Sequence, residues 1–197
     1  MRYPAFLLSA LLAVALPVQA QSRTLTIEKG TASYQSRDVF SAWTGITPQV
    51  SGLIRFEDQT GELQEGKIQV QLGSIDSKNG ARDARMRNEF LQTEKFPTAT
   101  FTVTALEGFP KFSDWKEWGN RQHGKISGDL TIRDITHPVI FEGEAVYTGR
   151  ELRLQATGKI KMSDFGITPP NLLFVTVDDT VGLKLDAVAR PSVLPAP

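Results

Sequence analysis

Apolar and polar side chains alternate along most of this chain, and this period of two constrains the fold more than any other feature. In residues 152–162, apolar or small residues occupy every second position and mostly polar residues lie between them. Residues 67–72, 100–105, 126–132 and 181–189 repeat the pattern. Strand side chains point alternately to opposite faces, so the pattern predicts strands with one buried and one solvated face. Such strands are expected to pair antiparallel, because parallel strands are usually buried on both faces.

The connections between these predicted strands are short. Turn residues separate them, namely Gly61, Gly66, Gly73, Gly143, Gly149 and the pair Asp178-Asp179. Long strands that follow one another through short turns form a meander, which hides its edges by closing into a barrel. One segment departs from the alternation, because residues 79–92 have the charged and apolar pattern of an amphipathic helix. We therefore predict an all-β protein, a closed antiparallel barrel with one short helix covering it.

The N-terminus has the features of a cleavable secretory signal. Arg2 precedes an apolar run, Pro17 follows that run, and Ala20 ends a small-residue cleavage motif. The alternative is a membrane anchor, but the run is shorter than the roughly 20 residues that cross a bilayer. We expect cleavage after Ala20, a periplasmic or secreted protein, and no membrane-spanning segment afterwards. The predicted divisions are a signal peptide, one barrel domain and a disordered Pro-rich tail, over residues 1–20, 21–189 and 190–197.

Charge and cysteine content exclude several classes of partner and site. Removal of Arg2 with the signal leaves 21 basic and 22 acidic side chains. A chain without a basic excess has no general electrostatic attraction to nucleic acid, so no nucleic-acid partner is expected. The absence of cysteine rules out disulfides, thiolate metal sites and thiol nucleophiles. The domain must therefore be held together by its apolar core.

The sequence contains no motif that indicates catalysis or a cofactor. His123 and His137 are the only histidines, and they are not spaced as a metal-binding pair on one element. There is no Gly-x-Ser-x-Gly turn and no Gly-rich phosphate loop. A catalytic triad assembled by the fold stays open, because triads are defined by geometry. We predict no catalytic residues, no metal and no cofactor.

Small residues on the buried faces have two interpretations. Gly128, Gly143, Ala145, Ala156 and Gly158 occupy positions where a filled barrel would have branched side chains. They either leave space for a ligand or mark bends and bulges of the strands. The pattern alone does not choose between these.

Two ordered motif blocks resemble the signature of the YceI-like family. The first consists of Ser74-Ile75-Asp76-Ser77, Arg82-Asp83, Met86-Arg87, Phe90, Phe96-Pro97 and Thr100-Phe101. The second is Gly128-Asp129-Leu130-Thr131-Ile132, followed by Thr136 and Pro138-Val139. The resemblance implies an eight-stranded, lipocalin-like barrel with a long apolar pore, in a periplasmic or secreted protein. It also implies a polyisoprenoid or fatty-acyl amphiphile as ligand, and no catalysis. Residues 32–36 lack a His-Ser pair that many members carry, which predicts a different head-group contact.

On this basis we predict the residues that contact the ligand. The apolar pore is expected to be lined by Phe40, Phe90, Phe101, Leu130, Phe141, Leu154, Ile160, Met162, Phe165 and Phe174. Arg82 and Arg87 are candidates for binding a polar or phosphate head group, since guanidinium binds oxyanions in a bidentate manner. The alternative for both is an ion pair with Asp83 or Asp76 that fixes the helix. Trp115 and Trp118 are expected to flank the pore mouth.

Three functions stay open at this stage. The first is a carrier of an amphiphilic isoprenoid or acyl lipid, in stress or isoprenoid-quinone physiology. The second is an enzyme acting on a lipid-like substrate in the same pore. The third is an interaction scaffold with a filled barrel, whose loop over residues 107–122 contacts a protein. Self-association into a homodimer is compatible with each of them.

Overall fold

The strands of the structure follow the predicted alternation. The computed structural model describes residues 22–57, 60–111, 114–115, 120–172 and 175–191. Within these ranges the strands, numbered in chain order, are β1 (Ser22–Arg37), β2 (Ala42–Thr47), β3 (Val50–Glu57), β4 (Leu63–Gln71), β5 (Thr98–Glu107), β6 (Arg121–Ile132), β7 (Ile135–Tyr147), β8 (Leu152–Lys161), β9 (Asn171–Leu172), β10 (Val175–Thr176) and β11 (Thr180–Pro191).

Eight strand positions close into one antiparallel barrel. The order around the barrel is β1, β3, β4, β5, β6, β7, β8 and β11, and β11 pairs with β1 to close the ring. On its other edge β1 pairs with β3 through residues 22–26 and with β2 through residues 32–37. β2 and β3 therefore act as one strand that is interrupted at Pro48 and Gln49. The prediction of a closed antiparallel barrel is confirmed, but Gly66 and Gly143, predicted as turn residues, lie inside β4 and β7.

The inward faces of the strands form two apolar clusters. The first consists of Leu25, Ile27, Val50, Ile54, Phe56, Ala145, Leu152, Ala187 and Ala189. The second consists of Leu72, Ile75, Ala99, Phe101, Leu130, Ile132, Phe141, Ala156, Phe165 and Ile167. Burying one large apolar side chain stabilises the fold by roughly 1.5–3 kcal/mol. The two clusters are therefore the main source of stability in a barrel without disulfides.

The helical segment lies between β4 and β5. Helix α1 (Gly80–Arg85) continues into a π-helical turn (Met86–Phe90). The Asn79 side chain accepts a hydrogen bond from the Arg82 amide at 3.0 Å, which satisfies a free N–H group in the first turn. The sequence pattern thus identified the helix correctly, but the helical segment spans residues 80–90, which is shorter than the predicted range of 79–92.

The two ends of the barrel differ. We call one end the mouth: it is formed by the β1–β2 turn (residues 38–41), the helical segment and the β8–β11 connection (residues 162–179). The other end carries the β3–β4, β5–β6 and β7–β8 connections and the first apolar cluster, and we call it the closed end. This difference decides where a molecule is able to enter.

The chain termini leave part of the predicted domain division untested. Residues 1–21 and 192–197 lie outside the described residues. β11 extends to Pro191, and the Arg190 guanidinium contacts Glu28 at 2.8 Å and Glu151 at 3.0 Å. The ordered barrel thus includes the first two residues of the range predicted as a tail.

Candidate ligand-binding cavity

A cavity of about 600 Å³ runs from the mouth into the barrel. Its walls consist mainly of apolar side chains from the inward faces of β1, β4, β5, β6, β8 and β11. Leu154, Leu185 and Ile68 line its deepest part and also pack against the first apolar cluster. The cavity is therefore open at the mouth and blocked by packed side chains below this layer.

Most of the predicted pore residues lie on the wall of this cavity. Seven of the ten line it, namely Phe90, Phe101, Leu130, Phe141, Leu154, Ile160 and Met162. Phe165 does not line it: this side chain is 1% exposed within the second cluster, with its ring centroid 5.8 Å from that of His137. Phe174 lies outside the described residues.

Phe40 is not a wall residue, and the prediction that it lines the pore is wrong. Its side chain is 82% exposed in the β1–β2 turn. The Asp38 carboxylate accepts hydrogen bonds from the amides of Phe40 and Ser41, each at 2.8 Å. This tight turn directs Phe40 away from the barrel axis, whereas Asp38 and Ser41 line the cavity.

Aromatic rings, not ligand space, explain two of the inward glycines. A Cβ on Gly128 would lie 2.5 Å from the Phe101 ring, and one on Gly158 would lie 2.6 Å from the Phe141 ring. The two rings pack edge to face, with centroids 5.1 Å apart. Each glycine therefore lets a ring from the neighbouring strand lie close to the backbone, and the two rings form one side of the cavity wall.

Polar side chains gather at the mouth. The Arg82 guanidinium donates to the Ser77 hydroxyl at 2.8 Å and to the Ser77 carbonyl at 2.9 Å, and it lies 4.9 Å from the centre of the Trp43 ring. Asp83, only 4% exposed, accepts from the Ser77 amide at 3.0 Å and from its hydroxyl. Ser77 thus links both charged side chains of α1 to the segment that precedes the helix.

Tyr34 completes this polar rim, and the sequence analysis did not select it. Burial raises the pKa of the Tyr34 phenol, so the hydroxyl is a hydrogen-bond donor at neutral pH. Gly45 lies under the ring, since a Cβ there would be 2.2 Å from a ring carbon. The available signal was the alternation of β1, in which Tyr34 is in phase with Ala32 and Ser36.

Comparison with known proteins identifies the family. The profile of the YceI-like domain matches residues 21–189. The chain belongs to the YceI-like family. Protein YceI of Salmonella arizonae and protein YceI of Salmonella paratyphi B are each 30% identical to it over 131 residues, which is 63% of either length. The match therefore spans less than two thirds of these relatives.

Solved structures share the barrel at low sequence identity. A polyisoprenoid binding domain from Saccharophagus degradans has a TM-score of 0.68 at 15% identity, covering 85% of this chain and 98% of its own. Burkholderia cenocepacia BcnA has a TM-score of 0.64 at 18% identity, covering 81% and 95%. At these identities the likeness establishes the fold alone.

The two arginines of the YceI-like motif have different positions. Arg82 lines the cavity, whereas Arg87 donates to the Ile75 carbonyl at 3.3 Å and is not among the described lining residues. Asp76 forms its ion pair with Lys78 at 2.6 Å. The helix is thus fixed through Ser77 and the Ile75 carbonyl, in place of the ion pairs with Asp83 or Asp76 considered from the sequence.

Trp115 lies at the closed end of this YceI-like barrel, so its expected position at the mouth is wrong. It packs with Phe109 against the first apolar cluster, and its indole N–H donates to the Pro110 carbonyl at 3.0 Å. The reason is topological, since the β5–β6 loop joins the two strands at the end opposite α1. Trp118 lies outside the described residues.

The remaining ionisable groups form no metal site in the described ranges. No cluster of three or more His, Asp or Glu side chains suited to a metal ion occurs there. His123 lies 3.7 Å from Glu144 on the outer face of the barrel, and His137 packs against Phe165. None of the helices in the described residues has the length and apolar character of a membrane span.

Proposed function

We propose that this protein is a secreted or periplasmic binding protein that carries one amphiphilic lipid, with the apolar chain in the barrel and the head group at the mouth. The observation that carries the proposal is the single-ended apolar cavity of about 600 Å³ with polar groups at its open end. The Saccharophagus degradans relative, described as a polyisoprenoid binding domain, supports the same ligand class.

The cavity favours a chain of moderate length. A water molecule occupies roughly 30 Å³ in the liquid, and a methylene group is of similar size, so the cavity accommodates on the order of 20 carbon atoms. Burial of each methylene contributes about 0.8 kcal/mol, which exceeds the cost of association for a chain of this length. A prenyl chain of a few isoprene units or a long fatty acyl chain fits this description.

The mouth supplies the groups that would bind the head. Arg82 lines the cavity and uses Nε and Nη2 to hold Ser77, which leaves further N–H donors on its guanidinium. The Tyr34 hydroxyl lies on the same rim. We propose a phosphate or carboxylate head group at this position, with Arg82 as its main partner and Arg87 as a structural residue.

A non-enzymatic role agrees best with the distribution of polar groups. Leu154, Leu185 and Ile68 make the deep part of the cavity apolar, and Asp38, Arg82 and Arg85 line it near the mouth. Lys184, beside Leu185, is engaged in an exposed ion pair with Asp186 at 3.0 Å. The scaffold alternative is weakened because Phe109 and Trp115 of its proposed contact loop pack against the barrel.

Native mass spectrometry, followed by analysis of the organic extract, tests the carrier function. We expect one lipid per chain and a prenyl or acyl amphiphile in the extract; the same spectrum reports whether the chain forms a homodimer. The Ala156→Phe variant should lose the lipid because its new side chain enters the cavity. Thr157→Phe adds the same ring on the exposed face of β8 and should retain the lipid. Wild-type protein that carries no lipid and takes none up from added prenyl or acyl amphiphiles would exclude the proposal.

The proposed location has its own test. Expression of the full chain in a Gram-negative host, followed by N-terminal sequencing of the fractionated protein, should give a periplasmic product that begins at Gln21. A full-length product in the cytoplasmic fraction would refute export.

A further inference from the structure

Two adjacent apolar side chains protrude beside the mouth of the cavity. Val39 is 71% exposed and Phe40 is 82% exposed. They are the most exposed of the large apolar residues described, ahead of Ile140, which is 61% exposed on β7. Solvation of a phenyl ring at a loop tip is unfavourable, so this pair requires an explanation.

The turn holds these side chains outward by specific bonds. Asp38 accepts from the amides of Phe40 and Ser41, and its own amide donates to the Ser41 carbonyl at 2.9 Å. The Arg37 carbonyl accepts from the Asp178 amide at 2.8 Å, and the two side chains form an ion pair at 3.2 Å. The tip is thus tied to the end of the β8–β11 connection, next to the neighbouring strand β11.

The tip is continuous with the opening of the cavity. Asp38 and Ser41, the residues that flank Val39 and Phe40, both line the cavity at its mouth. A flat apolar surface into which Val39 and Phe40 inserted would therefore lie opposite this opening. The geometry therefore aligns the tip and the entry route on one end of the molecule.

We propose that Val39 and Phe40 insert into the surface of a lipid bilayer and place the cavity mouth against it. The inference rests on the proposed carrier function, because an amphiphile with a long apolar chain partitions into bilayers. Docking in this way lets the chain pass between bilayer and barrel without crossing water, which removes the largest barrier to transfer.

The charges around the mouth indicate which kind of bilayer is sufficient. Three of its basic side chains are paired with carboxylates, Arg37 with Asp178, Lys78 with Asp76 and Arg85 with Glu89, and Arg82 is bonded to Ser77. Paired charges give little attraction to anionic lipid. Docking by apolar insertion should therefore occur on zwitterionic phosphatidylcholine and depend only weakly on salt.

Transfer of cis-parinaric acid between the protein and phosphatidylcholine vesicles tests the proposal. We expect the wild-type rate to rise with vesicle concentration, and to fall about tenfold or more in Phe40→Ser, since full burial of a phenylalanine contributes more than one factor of ten. The equilibrium affinity for the probe should stay unchanged, because Phe40 is not a wall residue. Ile140→Ser, the matched control on β7, should transfer at the wild-type rate.

Several results would overturn the inference. They are a Phe40→Ser rate equal to wild type, a transfer rate independent of vesicle concentration, or an effect of Phe40→Ser on self-association without an effect on vesicle flotation. A wild-type protein that floats with vesicles through Phe40 but takes up neither parinaric acid nor a prenyl amphiphile would refute the carrier function and retain the docking tip. The two proposals therefore fail separately.

Discussion

Replacement of Asp83 by alanine removes the carboxylate that holds helix α1 to the segment that precedes it. This carboxylate is 4% exposed and accepts two hydrogen bonds from Ser77, which is itself 6% exposed. A hydrogen bond to a charged group contributes about 1.5–3 kcal/mol, and a buried donor left without a partner costs about 1–3 kcal/mol. Because these effects overlap at one residue, we expect Asp83→Ala to lower the free energy of unfolding by about 3–5 kcal/mol.

A matched change on the same segment sets the baseline. Glu89 forms an exposed ion pair with Arg85 at 3.0 Å, one helical turn away. Exposed pairs at this spacing contribute about 0.3–0.5 kcal/mol, so Glu89→Ala should be nearly neutral. Asp83→Asn should fall between the two, because its amide oxygen still accepts one of the bonds from Ser77.

Urea denaturation followed by circular dichroism measures these differences, and linear extrapolation gives the free energies. A loss of 3–5 kcal/mol is a large part of the stability of a domain, which is typically about 5–15 kcal/mol. If Asp83→Ala and Glu89→Ala gave equal changes below about 1 kcal/mol, the carboxylate would not be the anchor that its burial and bonds indicate.

Three further changes have defined outcomes. Gly128→Ala places a Cβ 2.4 Å from a backbone oxygen of the neighbouring strand, so thermal unfolding should show a loss of stability of about 1–3 kcal/mol. Gly80→Ala is the control, because its Cβ would have no atom within 4 Å, and it should show no loss of stability. The pKa of the Asp179 carboxyl is lowered because the hydroxyl and amide of Ser163 donate hydrogen bonds to it. The contribution of Asp179 to the free energy of unfolding is present above the unfolded pKa and is lost as pH falls through the lower folded pKa, so acid should destabilise wild type more than Asp179→Asn in urea titrations. Equal dependence of stability on acid pH in the two proteins would contradict this. Leu154→Ala deepens the cavity, so calorimetric titration with acyl chains of increasing length should show the affinity maximum at a longer chain; an unchanged maximum would mean that Leu154 does not limit chain length.

The alternating segments predicted most of the barrel because strand periodicity is a local property. Residues 152–162 pointed their apolar members inward as expected, and Leu154 and Ile160 lie on the cavity wall. The helix was also visible, since its apolar residues recur among charged ones. The positions of the strands, and which of their side chains point into the barrel, could therefore be predicted without knowledge of which strands are neighbours.

The features that the sequence did not predict depend on cross-strand neighbours or on turn hydrogen bonds. Gly128 is covered by Phe101 of the adjacent strand, and only the register of β5 and β6 brings them together. Phe40 looked like a pore residue because it is aromatic, but the bonds of Asp38 direct it outward. The position of Trp115 could not be predicted without knowing at which end of the barrel the β5–β6 loop lies. Such information belongs to the topology, which local patterning does not contain.

The pairing of β1 with β11 has a consequence for how the chain reaches its native state. Residues 25–35 pair with residues 182–191, so the contacts that close the barrel join segments near opposite ends of the sequence. Pairings of such long sequence separation are slow to form, since the intervening chain must lose its freedom first. Until β11 arrives, β1 and β8 present open strand edges, which are sites of aggregation. The ring is thus completed last, and a chain interrupted before β11 lacks the strand that protects both edges.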